Sequence, residues 1–67
     1  MEITVNGTAR SFEPAPQTLA ELVRQLDLEG KRIAIEKNGA IVPKSRYADT
    51  ALAADDRLEI VAAVGGG

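Results

Sequence analysis

The stretch "TLAELVRQLDLEG", residues 18–30, constrains the fold more than any other part of the chain, because it reads as a single amphipathic helix. Leu19, Leu22, Val23 and Leu26 fall at i, i+3, i+4 and i+7 and share one face. Thr18 and Glu21 form the S/T-x-x-E pattern that satisfies orphaned backbone donors at a helix start. Gly30 is the expected stop. One such helix covers one face of one sheet, so the rest of the 67 residues must supply that sheet.

The flanking segments have the required period of two. In "MEITVNGTARSFE", Ile3 and Val5 point one way and Glu2, Thr4 and Asn6 the other, while Asn6-Gly7 supplies the positive φ angles of a tight hairpin. Phe12 anchors the returning strand, which ends at the "PAP" of residues 14–16 because proline lacks the ladder N–H. Ile33 and Ile35 alternate in a third strand, Asn38-Gly39 makes a second turn, and Ile41-Val42 form a short strand stopped by Pro43. Residues 44–56 read as polar and irregular, with Tyr47 and Leu52 as core contacts. Asp55-Asp56 reads as a turn, and "RLEIVAAV" as a last strand that is central or covered on both faces.

Strand, strand, helix, strand, short strand, strand predicts an α+β protein. The compact solution is the ubiquitin-like β-grasp, one helix packed across a mixed four- to five-stranded sheet, with a right-handed crossover laying a late strand parallel to the first. A split ferredoxin-like arrangement is the competitor and lacks its second long helix. The expected division is a domain over 1–64 and a C-terminal glycine arm over 65–67.

With no cysteine and no histidine, neither a disulfide nor an ordinary zinc site can support so small a core, so stability must come from apolar burial. The net charge is −2 and the basic residues are scattered, which argues against nucleic acid. No apolar stretch approaches the roughly 20 residues a bilayer requires, and "MEITVNG" has no basic or apolar signal core. The expectation is a cytoplasmic protein, monomeric on its own.

No catalytic constellation is legible: there is no histidine base, cysteine nucleophile or phosphate-binding glycine loop. Asp55 and Asp56 suit a turn far better than a metal site. What remains is the end, "EIVAAVGGG". Gly65, Gly66 and Gly67 carry no side chains, so the Gly67 α-carboxylate could travel on a thin arm of up to about 10 Å into a narrow channel. A frayed terminus is the competing reading. A carboxylate is ionised at neutral pH and must be activated before acyl chemistry, ordinarily by adenylation with ATP and Mg²⁺. The chain has no recognisable nucleotide site, so it should bind no cofactor itself and the activating enzyme should be a partner. Partner docking is expected on the sheet face away from the helix. If Leu58 and Ile60 point inward, Val61 and Ala63 point outward beside the arm, and with Val64 they are docking candidates; packing at a strand edge is the alternative.

The short β-grasp pattern, "NGAIVPKSRY" in the middle and "LEIVAAVGGG" at the end together resemble the ThiS family, the small sulfur carriers of bacterial thiamine biosynthesis. The sharpest motifs are Val42-Pro43 followed by a basic residue, a serine and then Tyr47, and the glycine ending. Tyr47 stands where that family often has tryptophan, and Ala54-Asp55-Asp56 where it has Asp-Gly-Asp. The resemblance implies that Gly67 is adenylated by a ubiquitin-activating-like adenylyltransferase. It further implies that a cysteine desulfurase or persulfide relay supplies the sulfur of a thiocarboxylate, and that thiazole synthase receives it. A ubiquitin-like modifier, a molybdopterin synthase small subunit and a plain binding module remain alternatives.

Overall fold

A computed structural model of the chain describes residues 1–62. Strands β1 (Glu2–Val5) and β2 (Thr8–Ser11) form the opening hairpin, followed by α1 (Leu19–Gln25), β3 (Ile33–Lys37), β4 (Ala40–Val42), a 3-10 helix (Lys44–Asp49) and β5 (Arg57–Ala62). The sheet order is β2-β1-β5-β3-β4. β5 lies in the middle, parallel to β1 and antiparallel to β3, while both hairpins are antiparallel. This is the β-grasp arrangement expected from the element order, with five strands and the late strand parallel to the first.

Both Asn-Gly pairs make the turns their chemistry dictates. Asn6 and Gly7 have φ of 51° and 81°, Asn38 and Gly39 51° and 89°, the doubly left-handed geometry of type I′ hairpins. Period-two alternation then sends Ile3, Val5, Ile35, Leu58 and Ile60 to one face, where they meet Leu19, Leu22 and Val23 of α1. Phe12, Tyr47 and Leu52 complete this core. The 3-10 helix was not anticipated from the sequence, although Tyr47 and Leu52 were. It forms after Pro43, whose carbonyl accepts from Arg46 N–H at 2.8 Å.

Two details of α1 depart from expectation. The Thr18 hydroxyl accepts from Glu21 N–H at 3.3 Å, but the Glu21 carboxylate reaches Gln17 N–H at 3.2 Å instead of Thr18. Thr18 is engaged in an antiparallel bridge with Ala51, which ties the helix start to the later segment. The helix also stops at Gln25, well before Gly30. Asp27 takes the left-handed position (φ 60°), Asp27 N–H donates to Arg24 C=O and Leu28 N–H to Val23 C=O, the paired bonds of a Schellman ending. In a continued helix Leu28 would sit about 200° around from Leu26, on the solvent side. Ending early turns Leu28 back against the core. Gly30 (φ 82°) instead serves a later turn, closed by Lys31 N–H on Leu28 C=O at 3.1 Å.

Candidate functional site

β5 leads to the C-terminal residues, so what holds β5 decides where they are presented. Its start is gripped by the β3–β4 turn. Asn38 N–H donates to Arg57 C=O at 2.8 Å, and Arg57 N–H donates to Asn38 Oδ1 at 2.9 Å. Asn38 Nδ2 donates to Asp56 Oδ1 at 3.1 Å, and the second Asp56 oxygen accepts from Ala53 N–H at 2.8 Å. Lys37 Nζ stands 3.9 Å from the same oxygen. Burial pushes the Asp56 carboxyl up, but the Ala53 and Asn38 hydrogen bonds and the Lys37 charge outweigh it and hold the group below its ordinary value.

Asp56 is therefore more than the turn residue read from the sequence. A depressed folded-state value means that its stabilisation is complete above the unfolded carboxyl range and is lost as pH falls through the folded value. Thermal unfolding followed from pH 7 down to about 3 should show Asp56→Asn less stable than the parent at neutral pH, with the difference closing as acid protonates the parent's carboxylate.

Further along, β5 is held by the other turn. Asn6 N–H donates to Leu58 C=O at 2.8 Å, Ile60 N–H donates to Asn6 Oδ1 at 2.7 Å, and Asn6 Nδ2 donates to Ile60 C=O at 2.9 Å. Beside this point lies an open cleft of about 380 Å³ whose lining includes Val5, Ile60 and Ala62 together with the cations Arg10, Lys31 and Arg32. Ala62, the last described strand residue, thus lines a cleft that combines apolar side chains with three cations.

Among the described residues, nothing covers the sheet face turned away from α1 at Ala34, Glu36, Glu59 and Val61. Leu58 and Ile60 point inward as expected, and Val61 is 56% exposed on the outer face. The register sets Val61 opposite Ala34, Glu59 opposite Glu36, and Glu36 opposite Ile41, itself 75% exposed. β5 is central, as one of the two readings had it, and among the described residues nothing covers its outer side at Val61. Directly opposed like charges destabilise a sheet by a few tenths to about 1 kcal/mol. Ile41 and the Glu36–Glu59 pair were not singled out from the sequence, because only the strand register brings them beside Val61. Ala63, Val64, Gly65, Gly66 and Gly67, and with them the domain boundary at 64/65, lie outside the described residues.

Among the described residues no cluster of three potential metal ligands occurs, and no helix is long and apolar enough to cross a membrane.

Comparison with known proteins gives a consistent picture. The model of the ThiS family matches residues 3–67. The sulfur carrier protein ThiS of Bacillus subtilis is 34% identical over 65 residues, covering 97% of this chain and 98% of that protein. A thiazole synthase of Paramagnetospirillum magneticum is 43% identical over all 67 residues, although this chain spans only 20% of its length. The crystal structure of the thiamine biosynthesis protein ThiS from Geobacter metallireducens superposes with a TM-score of 0.86 at 26% identity, each chain covered completely.

Proposed function

This chain belongs to the ThiS family, and on that premise we propose that it is a sulfur carrier of thiamine biosynthesis, a co-substrate of other enzymes and not a catalyst. The observation that carries the reading is end-to-end likeness to a protein named as a sulfur carrier. The chain contains no cysteine and cannot hold sulfur as its own persulfide. The Gly67 carboxyl is the group that receives it, and Gly65 and Gly66 give it access to the enzymes.

The steps follow from carboxylate chemistry. An oxygen of the Gly67 carboxylate attacks the α-phosphorus of ATP in a ubiquitin-activating-like adenylyltransferase, and the bond to pyrophosphate breaks. ATP and Mg²⁺ belong to that partner. A persulfide sulfur from a cysteine desulfurase relay then attacks the acyl carbon and displaces AMP. A thiol cleaves the resulting acyl disulfide, leaving a thiocarboxylate on Gly67 and a disulfide on the donor side. Thiazole synthase takes the sulfur, a role in keeping with the thiazole synthases among the relatives.

Docking uses the open sheet face, where Val61, Ala34 and Ile41 supply apolar contact. The opposed Glu36 and Glu59 call for a cationic counterpart, which would turn their mutual repulsion into attraction on binding. Val61→Ala removes about 1 kcal/mol of contact area from that interface, so KM for the carrier in the adenylation step should rise roughly fivefold. Val61 is exposed, so the unfolding midpoint should hardly move. An unchanged KM would remove Val61 from the docking face.

The reading is tested by incubating the chain with ATP, the adenylyltransferase and a sulfur source and weighing the product. One oxygen-for-sulfur exchange, mapped to Gly67, is expected. Attachment to a lysine of another protein would make the chain a modifier, and an unaltered carboxyl under every condition would leave a binding module.

A further inference from the structure

We propose that Asn6 is a positioning residue for the C-terminal arm, its side-chain amide standing in for a strand peptide where β1 turns away from β5. The inference rests on the carrier function proposed above. The parallel ladder between β1 and β5 runs through Thr4 N–H on Asp56 C=O at 3.0 Å and Asn6 N–H on Leu58 C=O at 2.8 Å. The next rung would join Ile60 N–H to the Asn6 main-chain carbonyl, followed by an N–H from β1 to Ile60 C=O. Neither is available, because Asn6 (φ 51°) and Gly7 (φ 81°) have begun the hairpin turn. The Asn6 side chain provides both: Oδ1 accepts from Ile60 N–H at 2.7 Å, and Nδ2 donates to Ile60 C=O at 2.9 Å.

On the other edge, β3 pairs Ile35 with Ile60 and Ile33 with Ala62. Asn6 therefore takes both main-chain polar groups of Ile60, which on the other side faces Ile35 in a non-hydrogen-bonded pair, two residues before Ala62. Only an amide of this length does so: aspartate keeps the acceptor and loses the donor, and glycine loses both while accepting the positive φ. A slip of the β5 backbone at Ile60 would be passed on to Val61 and Ala62, which among the described residues pair with β3 alone. A misplacement of about 1 Å at a reacting group can cost a hundredfold in rate. A carrier docked through its open face needs this point fixed so that the carboxyl arrives in register with the nucleotide.

Asn38 is the natural control. It also sits at φ 51° in an Asn-Gly turn and also bonds β5 through its side chain, but at Arg57, the end of the strand remote from the arm. Asn6→Gly and Asn38→Gly keep the turn geometry and delete the side-chain bonds. Both full-length variants would be compared with the parent at a temperature where circular dichroism shows all three folded, with pyrophosphate release by the adenylyltransferase as the activity.

For Asn6→Gly, kcat should fall about tenfold with KM within twofold, and Ile60 N–H should exchange with deuterium at least about tenfold faster. Asn38→Gly should lose stability yet keep kcat within twofold. Asn6→Asp, which retains the acceptor and tolerates the left-handed backbone, should fall between the parent and Asn6→Gly and serves if the glycine variant does not fold. Parent-like kcat in the Asn6 variants, or an equal loss in Asn38→Gly, would overturn the assignment. If the parent releases no pyrophosphate, the carrier reading itself fails and the positioning role falls with it, whatever the exchange rate of Ile60.

Discussion

A chain lacking Gly67 alone should unfold at the parent's midpoint and accept no sulfur. The described core is closed by residues from Ile3 to Ile60, and the described sheet register runs to Ala62, five residues before Gly67 in the sequence. Removing one residue therefore leaves stability within about 0.5 kcal/mol. The reaction has no such tolerance. A carboxyl one residue back falls short by about 3.5 Å, beyond the near-attack separation that makes an enzyme-bound step effectively unimolecular. Loss of at least a hundredfold in oxygen-for-sulfur exchange is expected, together with normal docking, because Val61 and its neighbours are untouched. The measurement is the intact mass after incubation with the activating system, alongside competition by the truncated chain against the parent. A truncated chain that is loaded at the parent's rate would refute delivery through Gly67.

How much of this was legible beforehand depends on how far each signal reaches along the chain. The helix stripe, the two Asn-Gly turns and the alternation of β1, β3 and β5 are local patterns, and each became the element it predicted. Val61 could be assigned to the outer face from its spacing to Leu58 and Ile60 alone. The end of α1 was misplaced because Asp27, and not a glycine, adopts the left-handed position, a choice made by Leu28 returning to the core. The second role of the turn asparagines was hidden for another reason. Asn6 and Ile60 are 54 positions apart, and no local pattern distinguishes an asparagine that only turns the chain from one that also completes a distant ladder. The opposed Glu36 and Glu59 became visible only once the β3–β5 register was known.

The second large effect concerns the handle and not the arm. Leu22→Ala should leave a substantial part of the protein unfolded at 37 °C. Leu22 has no exposed surface and belongs to one core cluster with Ile3, Leu19, Ile35 and Leu58, which are at most 1% exposed. A 67-residue domain has about 3–10 kcal/mol of stability in all, and a buried leucine-to-alanine change costs about 2–5 kcal/mol. Alanine is the better helix former, so the loss comes from the cavity under the sheet and not from α1 itself. Leu22→Met, which conserves volume, should cost less than about 1.5 kcal/mol. Denaturant titration gives the midpoints, and sulfur loading separates this defect from loss of Gly67. Lowering the temperature or adding a stabilising osmolyte restores the folded fraction of Leu22→Ala, and loading should recover in proportion, because each refolded molecule carries an intact β5, Asn6 contact and arm. The same treatment should do nothing for the chain that ends at Gly66. If cooling fails to restore loading in a Leu22→Ala sample whose spectrum shows it folded, the packing of α1 on the sheet must also shape the docking face opposite it.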